Sequence, residues 1–270
     1  MRKWLFLFFL IGLFGGLVRW KWRDDDFRIG IVTPNDVALL SISPGRGMIN
    51  LLTVDSEVEL WLPGGMGWYQ ANRIKKISEK DKNMELIFKT LYYNFGFIPE
   101  KIVYLEKVSD WRNWSLIKYL GPFDWLRYKI FQENWLYKSE VISRSLSMEK
   151  ENLDEILPRD FSDNELLSGE VKISVVNASG ENGLGSFVAD RLNWMGFNVV
   201  GVETETDRKE CQIMSTTTPS EITKKNVDNL AKMFGCSQTS NVAMLPDEAI
   251  IYLGQNYAQM LKYSTYVRSF

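Results

Sequence analysis

The chemistry this chain offers gathers in one glycine turn and one pair of cysteines. Residues 177–185, NASGENGLG, follow a short apolar run and precede a helical pattern. Gly180, Gly183 and Gly185 tolerate positive φ or close backbone approach, so the segment reads as a tight turn. A turn at a helix start presents backbone N–H groups to an anion. Asn177, Gly180 and Gly183 are therefore the candidate ligand-binding residues. The glycine spacing is wrong for the G-x-G-x-x-G dinucleotide fingerprint, and Glu203 or Glu205 is an imperfect stand-in for its acidic ribose partner. The plainer reading is that these glycines simply turn a strand into a helix.

Cys211 opens an expected strand over 211–217, and Cys236 follows Gly235, the terminator of a helix begun at Pro219–Ser220. A strand rising about 3.3 Å per residue and a longer helix rising about 1.5 Å per residue cover similar distances. A helix folded back on its strand then returns Cys236 to Cys211. An oxidising compartment would join them as a disulfide; otherwise they are two buried thiols. The chain has no histidine. That excludes Ser–His triads, imidazole acid–base chemistry and His-ligated zinc, and two cysteines do not close a tetrahedral zinc site. A net charge of −2 gives no electrostatic footprint for nucleic acid.

The elements around these residues follow from periodicity. Ile173, Val175 and Val176 form a strand; Leu184, Phe187, Val188, Leu192 and Met195 recur on one helical face. Gly196 stands where a left-handed C-cap belongs, and Phe197, Val199 and Val200 begin the next strand. Upstream, strands are expected over Phe27–Val32, Val37–Ser43, Met48–Val54, Val58–Leu62 and Ile98–Leu105, with helices over Asn72–Ser78 and Asn83–Phe95. Residues 109–150 interleave Trp111, Trp114, Tyr119, Phe123, Trp125, Tyr128, Phe131, Trp135 and Tyr137 with basic residues. They read as a helix opened at Gly121-Pro122 or Asp124 and running to about Leu146, its aromatics serving as core or as an interfacial face. Residues 151–169 read as an acidic linker with one short helix.

At 270 residues, with 45% hydrophobic and 13% aromatic content, the chain holds an anchor and two modest domains. Trp4–Val18 is an uninterrupted apolar run between basic flanks. It is short against the ~20 residues that cross a bilayer, but Trp4, Trp20, Trp22 and a snorkelling Arg19 extend it. Residues 4–20 are thus expected to be an uncleaved membrane anchor, with a cleaved signal peptide as the alternative. Asp24–Asp26 favours an extracytoplasmic carboxyl side.

"VVNASG", "GLGSFVADRL", "MGFNV", "NVDNLAKMFG" and "DEAIIYLGQNYA" occur in that order, and residues 170–270 resemble the C-terminal domain of LytR proteins. This domain belongs to envelope proteins of the LytR–CpsA–Psr group, and the resemblance implies an extracytoplasmic place. "NDVALLSISPGRGMINLLTVDSEVELWLPG" and "GFIPEKIVYLE" are similar to the first half of that group's catalytic domain. The resemblance implies transfer of polymer from a polyprenyl-pyrophosphate lipid to wall glycan, with arginines clamping pyrophosphate and acids holding Mg²⁺. The family's Arg-Asp pair falls on Ser56-Glu57 or on Val54-Asp55, and Asn35 precedes Asp36, so no arginine stands at the clamp positions. A pyrophosphate needs charge-assisted donors. The remaining candidates are Asp36, Asp55 and Glu57 for Mg²⁺ and Arg73 for phosphate.

The expected fold is α/β (α+β): a membrane helix over 1–24, a reduced catalytic-domain-like α/β unit over 25–150, the linker over 151–169, and a small βαββαβ domain over 170–270. The expected role is non-catalytic binding or scaffolding of wall glycan, a lipid-linked precursor or an envelope partner, without a cofactor. A divergent Mg²⁺-dependent phosphotransferase is the alternative.

Overall fold

The structure, a computed structural model, describes residues 12, 26–43, 46–81, 84–112, 116, 118–122, 124–125, 128–129, 140–146, 153–162, 171–206 and 208–261. The chain is mixed α/β and divides into two compact units that interleave along the sequence. One comprises residues 1–58, 70–84 and 99–151; the other comprises 59–69, 85–98 and 152–270. The expected anchor, residues 4–20, lies outside the described residues apart from Gly12, which is helical. Among the described residues no helix is long and apolar enough to cross a membrane.

The first unit is built on strands β1 (Phe27–Val32), β2 (Val37–Ser43) and β3 (Met48–Val54), an antiparallel meander. β6 (Lys101–Tyr104) adds in parallel beside β1, and β7 (Glu140–Leu146) adds in parallel beside β3. One sheet face carries Phe27, Ile29, Ile31, Ala38, Leu40, Ile42, Ile49 and Leu51, all buried. Trp111, Leu116, Leu120 and Tyr128 pack on it, and the Tyr128 hydroxyl donates to the Trp111 carbonyl. These aromatics are therefore core. Trp114, Phe123, Phe131, Trp135 and Tyr137 lie outside the described residues. Helix α1 (Ala71–Asp81) contacts β2.

The expected helix does not continue to Leu146, because Glu140–Leu146 is a strand. In EVISRSL, Val141, Ser143 and Ser145 are exposed in alternation, a period of two that suits the open edge of β3. The helical reading holds at residues 122, 124–125 and 128–129, and fails where the strand Glu140–Leu146 stands.

The second unit holds a two-stranded sheet, β4 (Glu59–Leu62) with β5 (Gly67–Gln70), and helix α2 (Met84–Phe95). It also holds α3 (Leu153–Asp160), which buries Ile156 and Leu157. Its main sheet runs β11 (Ser237–Asn241), β10 (Gln212–Thr216), β12 (Glu248–Leu253), β8 (Lys172–Asn177), β9 (Asn198–Thr204). The antiparallel step lies between β10 and β12; the other pairs are parallel. Helices α4 (Leu184–Met195), α5 (Glu221–Phe234) and α6 (Gln255–Leu261) complete it. The expected βαββαβ order is extended, since β11 adds an edge strand before β12 and α6 follows it.

The local signals here are physical. Gly196 ends α4 at φ 102°, its N–H bonded to the Asn193 and Leu192 carbonyls. Ser220 caps α5 by accepting the Thr223 N–H, and Gly235 ends it at φ 64°. Tyr92, Tyr93, Phe187, Phe234 and Tyr257 join the aliphatic core of this unit. Burial pushes the phenols of Tyr92, Tyr93 and Tyr257 well above their usual range, so each stays neutral. Arg191 donates to the Tyr93 carbonyl at 2.8 Å and lies over the rings of Phe187 and Trp194 at 3.9 and 4.6 Å. It thus caps the carboxyl end of α2 with a cation, where the helix dipole favours one. The Asn94 carboxamide bonds both the N–H and the carbonyl of Trp61, at 2.9 and 2.8 Å.

Candidate functional site

In the first unit the carboxylates are placed by the meander. Val37 pairs with Val54, so Asp36, just before β2, and Asp55, just after β3, stand side by side at one end of the sheet. The turn that delivers Asp36 is built by Thr33. Its hydroxyl accepts the Asp36 N–H at 2.8 Å and the Asn35 N–H at 3.3 Å, and its own N–H donates to the Asp36 carbonyl at 2.9 Å. Asp55 is fixed from the strand on its other side: its N–H donates to the Leu146 carbonyl at 3.1 Å and its Oδ1 accepts the Ser145 hydroxyl at 2.6 Å. Its carbonyl accepts the Val58 N–H at 3.0 Å, closing the turn that leads to β4.

Asp36 is half-buried, and desolvation raises its carboxyl above its usual 3.8; the charge of Asp55 raises it further. Both influences act upward, opposite to what a guanidinium beside it would do. Two arginines of this unit lie toward the other end of the sheet. Arg28 pairs with Ser41, and Arg46 contacts Asp26 at 3.6 Å and Ser43 at 2.8 Å, both toward the far end of β2. Arg144 pairs with Leu52 within β7. Glu57 and Arg73 are exposed, Arg73 in the first turn of α1. Asp36 and Asp55 are therefore the pair that the fold brings together. Among the described residues no group of three or more acids or cysteines could hold a metal.

In the second unit the first half of the glycine turn is tied by its own hydrogen bonds. The Asn177 side chain donates to the Glu181 carbonyl at 2.8 Å and accepts the Ser179 hydroxyl at 2.7 Å and N–H at 3.3 Å. The Ser179 hydroxyl in turn accepts the Glu181 N–H at 3.1 Å. Gly180 and Gly183 adopt φ 81° and 79°. Gly185 belongs to α4 itself; a Cβ there would stand 2.9 Å from Val202 Cγ1, so its role is close helix–strand packing. Asn177 and Ser179 are buried. The turn thus spends the donors of Ser179 and Glu181 on itself, and Asn177 is its organiser.

Beside it runs the segment Arg208–Cys211. Arg208 donates its N–H to the Ala178 carbonyl at 2.7 Å, and Gln255 and Asn256 donate theirs to the Arg208 and Lys209 carbonyls at 2.9 Å. Cys211 is bonded to Cys236 in a disulfide with Cα atoms 4.7 Å apart. Gly254 is required by this strap, since a Cβ there would fall 2.4 Å from the Glu210 carbonyl carbon.

Sequence reasoning missed Ser145, Thr33 and Ser179 as the groups that hold the candidate residues. Thr33 and Ser179 each sit two or three residues from the groups they bond, a local hydroxyl-turn signal. Ser145 lay in the segment read as helix.

Residues 170–257 match the family described as LytR cell envelope-related transcriptional attenuator. Comparison with curated proteins finds no match. Among solved structures, B. subtilis TagU is 14% identical with a TM-score of 0.26, over 33% of this chain and 38% of TagU. B. subtilis TagT is 10% identical with a TM-score of 0.27, over 77% of this chain and 89% of TagT. TagT with bound octaprenyl pyrophosphate lipid is also 10% identical, with a TM-score of 0.26 over 79% and 92%. The chain thus spans about two fifths of TagU's length, and likeness this distant transfers no site.

Proposed function

We propose that this chain is a membrane-anchored extracytoplasmic envelope protein with residues 4–20 as its anchor. It binds or scaffolds wall glycan, a lipid-linked precursor or an envelope partner and does not transfer polymer. The matched LytR domain supports the envelope place. The observation that carries the non-catalytic reading is Asp36: its carboxyl is raised by burial and by Asp55, and no cation among the described residues offsets them. A pyrophosphate brought there would meet two acids without a charge-assisted donor from the described residues.

One observation favours the second reading, a Mg²⁺-dependent phosphotransferase. Asp36 and Asp55 stand together, and Mg²⁺ binds through one or two carboxylates plus waters and substrate phosphates.

The test is retention of the detergent-solubilised full chain on purified wall glycan and on a polyprenyl-pyrophosphate lipid, with and without Mg²⁺, for wild type, Asp36→Asn and Asp55→Asn. Binding that needs neither Mg²⁺ nor Asp36 is expected. Binding that needs both, accompanied by polymer transfer, establishes the second reading. Absence of retention in every arm removes glycan and precursor as ligands.

A further inference from the structure

We propose that Asn182 is a site of spontaneous covalent modification, converting to aspartate and isoaspartate through a succinimide. In the reaction the Gly183 nitrogen attacks Cγ of Asn182. The N–Cγ bond forms, the Cγ–Nδ2 bond breaks, and ammonia leaves with the proton from the Gly183 N–H. Water then opens the ring at either carbonyl, yielding an aspartate at this position or its isomer with an extra methylene in the main chain. Water is the only co-reactant, and nothing is oxidised or reduced.

Four observations place this chemistry at Asn182. Asn182-Gly183 is the only Asn-Gly pair in the chain, and the absent Cβ of glycine leaves the attacking nitrogen unhindered. Both residues are exposed. Among the described residues neither the Asn182 side chain nor the Gly183 N–H makes a hydrogen bond. Gly183 is the N-cap of α4, which has no side-chain cap and no acid in its first turn. The positive end of the helix favours both loss of the Gly183 proton and the carboxylate that results.

Asn177 supplies the contrast within the same turn. It is buried, both ends of its carboxamide are bonded, and the next nitrogen, that of Ala178, donates to the Leu253 carbonyl at 3.0 Å. The consequence at Asn182 is a second negative charge beside Glu181 at the start of α4. The new carboxylate stands next to the N-cap of α4 and repels an external anion. This holds whatever the chain binds.

The test incubates the full chain at mildly alkaline pH in ¹⁸O-enriched water, digests it with trypsin and sequences the fragment Ile173–Arg191 by mass spectrometry. The expected result is a labelled carboxyl at residue 182, as paired aspartate and isoaspartate species, with Asn177 unchanged. The rate should be comparable to that of the excised peptide. The exposed variant Asn182→Gln should fold as wild type and lose the signal. Retention of the Asn182 amide while the excised peptide converts it, or conversion at Asn177 instead, overturns the proposal.

Discussion

At the sheet end where β2 and β3 meet their turns, two carboxylates stand together, and among the described residues the side chain that meets them is Ser145, whose hydroxyl donates to Asp55. At the end of β8 the same density of polar groups closes on itself. Asn177, Ser179 and Glu181 exchange hydrogen bonds, and the strap from Arg208 seals the turn. Polar residues in a turn do not by themselves mark a ligand site; what separates the two regions is where each donor and acceptor is spent. The glycine turn spends Asn177, Ser179 and the Glu181 main chain on its own bonds.

Substitutions can break or sharpen this contrast. The largest effect is expected from Gly254→Ala, whose new Cβ meets the Glu210 main chain; a loss on the order of 4 kcal/mol, at the extreme of single substitutions, should appear in denaturant unfolding. Next is the disulfide. Cys211→Ser with Cys236→Ser opens a loop of 25-residue separation and should cost about 3 kcal/mol, read as a drop in Tm matched by adding a dithiol to wild type. Asn177→Ala leaves Ser179 and the Glu181 carbonyl without their partner and should cost about 2 kcal/mol. Unchanged chemical-denaturation midpoints for that variant would mean that these bonds do not hold the turn.

The smallest effect has the opposite sign. Asp36 has a folded pKa raised above its unfolded value, so the folded state holds its proton more tightly. Stability from this group is greatest at acid pH and falls as pH rises from the usual 3.8 through the raised folded value. Asp36→Asn should therefore leave Tm unchanged at acid pH and raise it slightly at neutral pH. Asp55→Asn should shift the Asp36 titration, followed by carboxyl NMR, downward. A neutral-pH loss of stability in Asp36→Asn would mean that a cation holds the carboxylate after all.

Much of the second unit was legible because its signals are local. Gly196, Ser220 and Gly235 each act within one helical turn, so the residue type alone reports the cap. The meander β1–β2–β3 was legible because neighbouring strands alternate around short turns. β7 was not, since its partner β3 is about ninety residues earlier and the helical pattern of the aromatic run before it was carried on through it. β5 was missed because Gly67–Gln70 is too short and too exposed to show a period. Residues 59–69 and 85–98 join the unit that contains 152–270, and no periodicity reports such interleaving. At the candidate acids, sequence supplied the residue types, but the pairing of Asp36 with Asp55 needed the register of β2 on β3.

Asn94 carries a consequence for how firmly the β4–β5 hairpin is held. A two-stranded sheet leaves strand main-chain groups without a third neighbour. By presenting an amide to both polar groups of Trp61, inside the core where both residues are buried, Asn94 imitates that neighbour. Replacing it with leucine would strand a buried N–H and a buried carbonyl, and faster hydrogen exchange across the hairpin would report it.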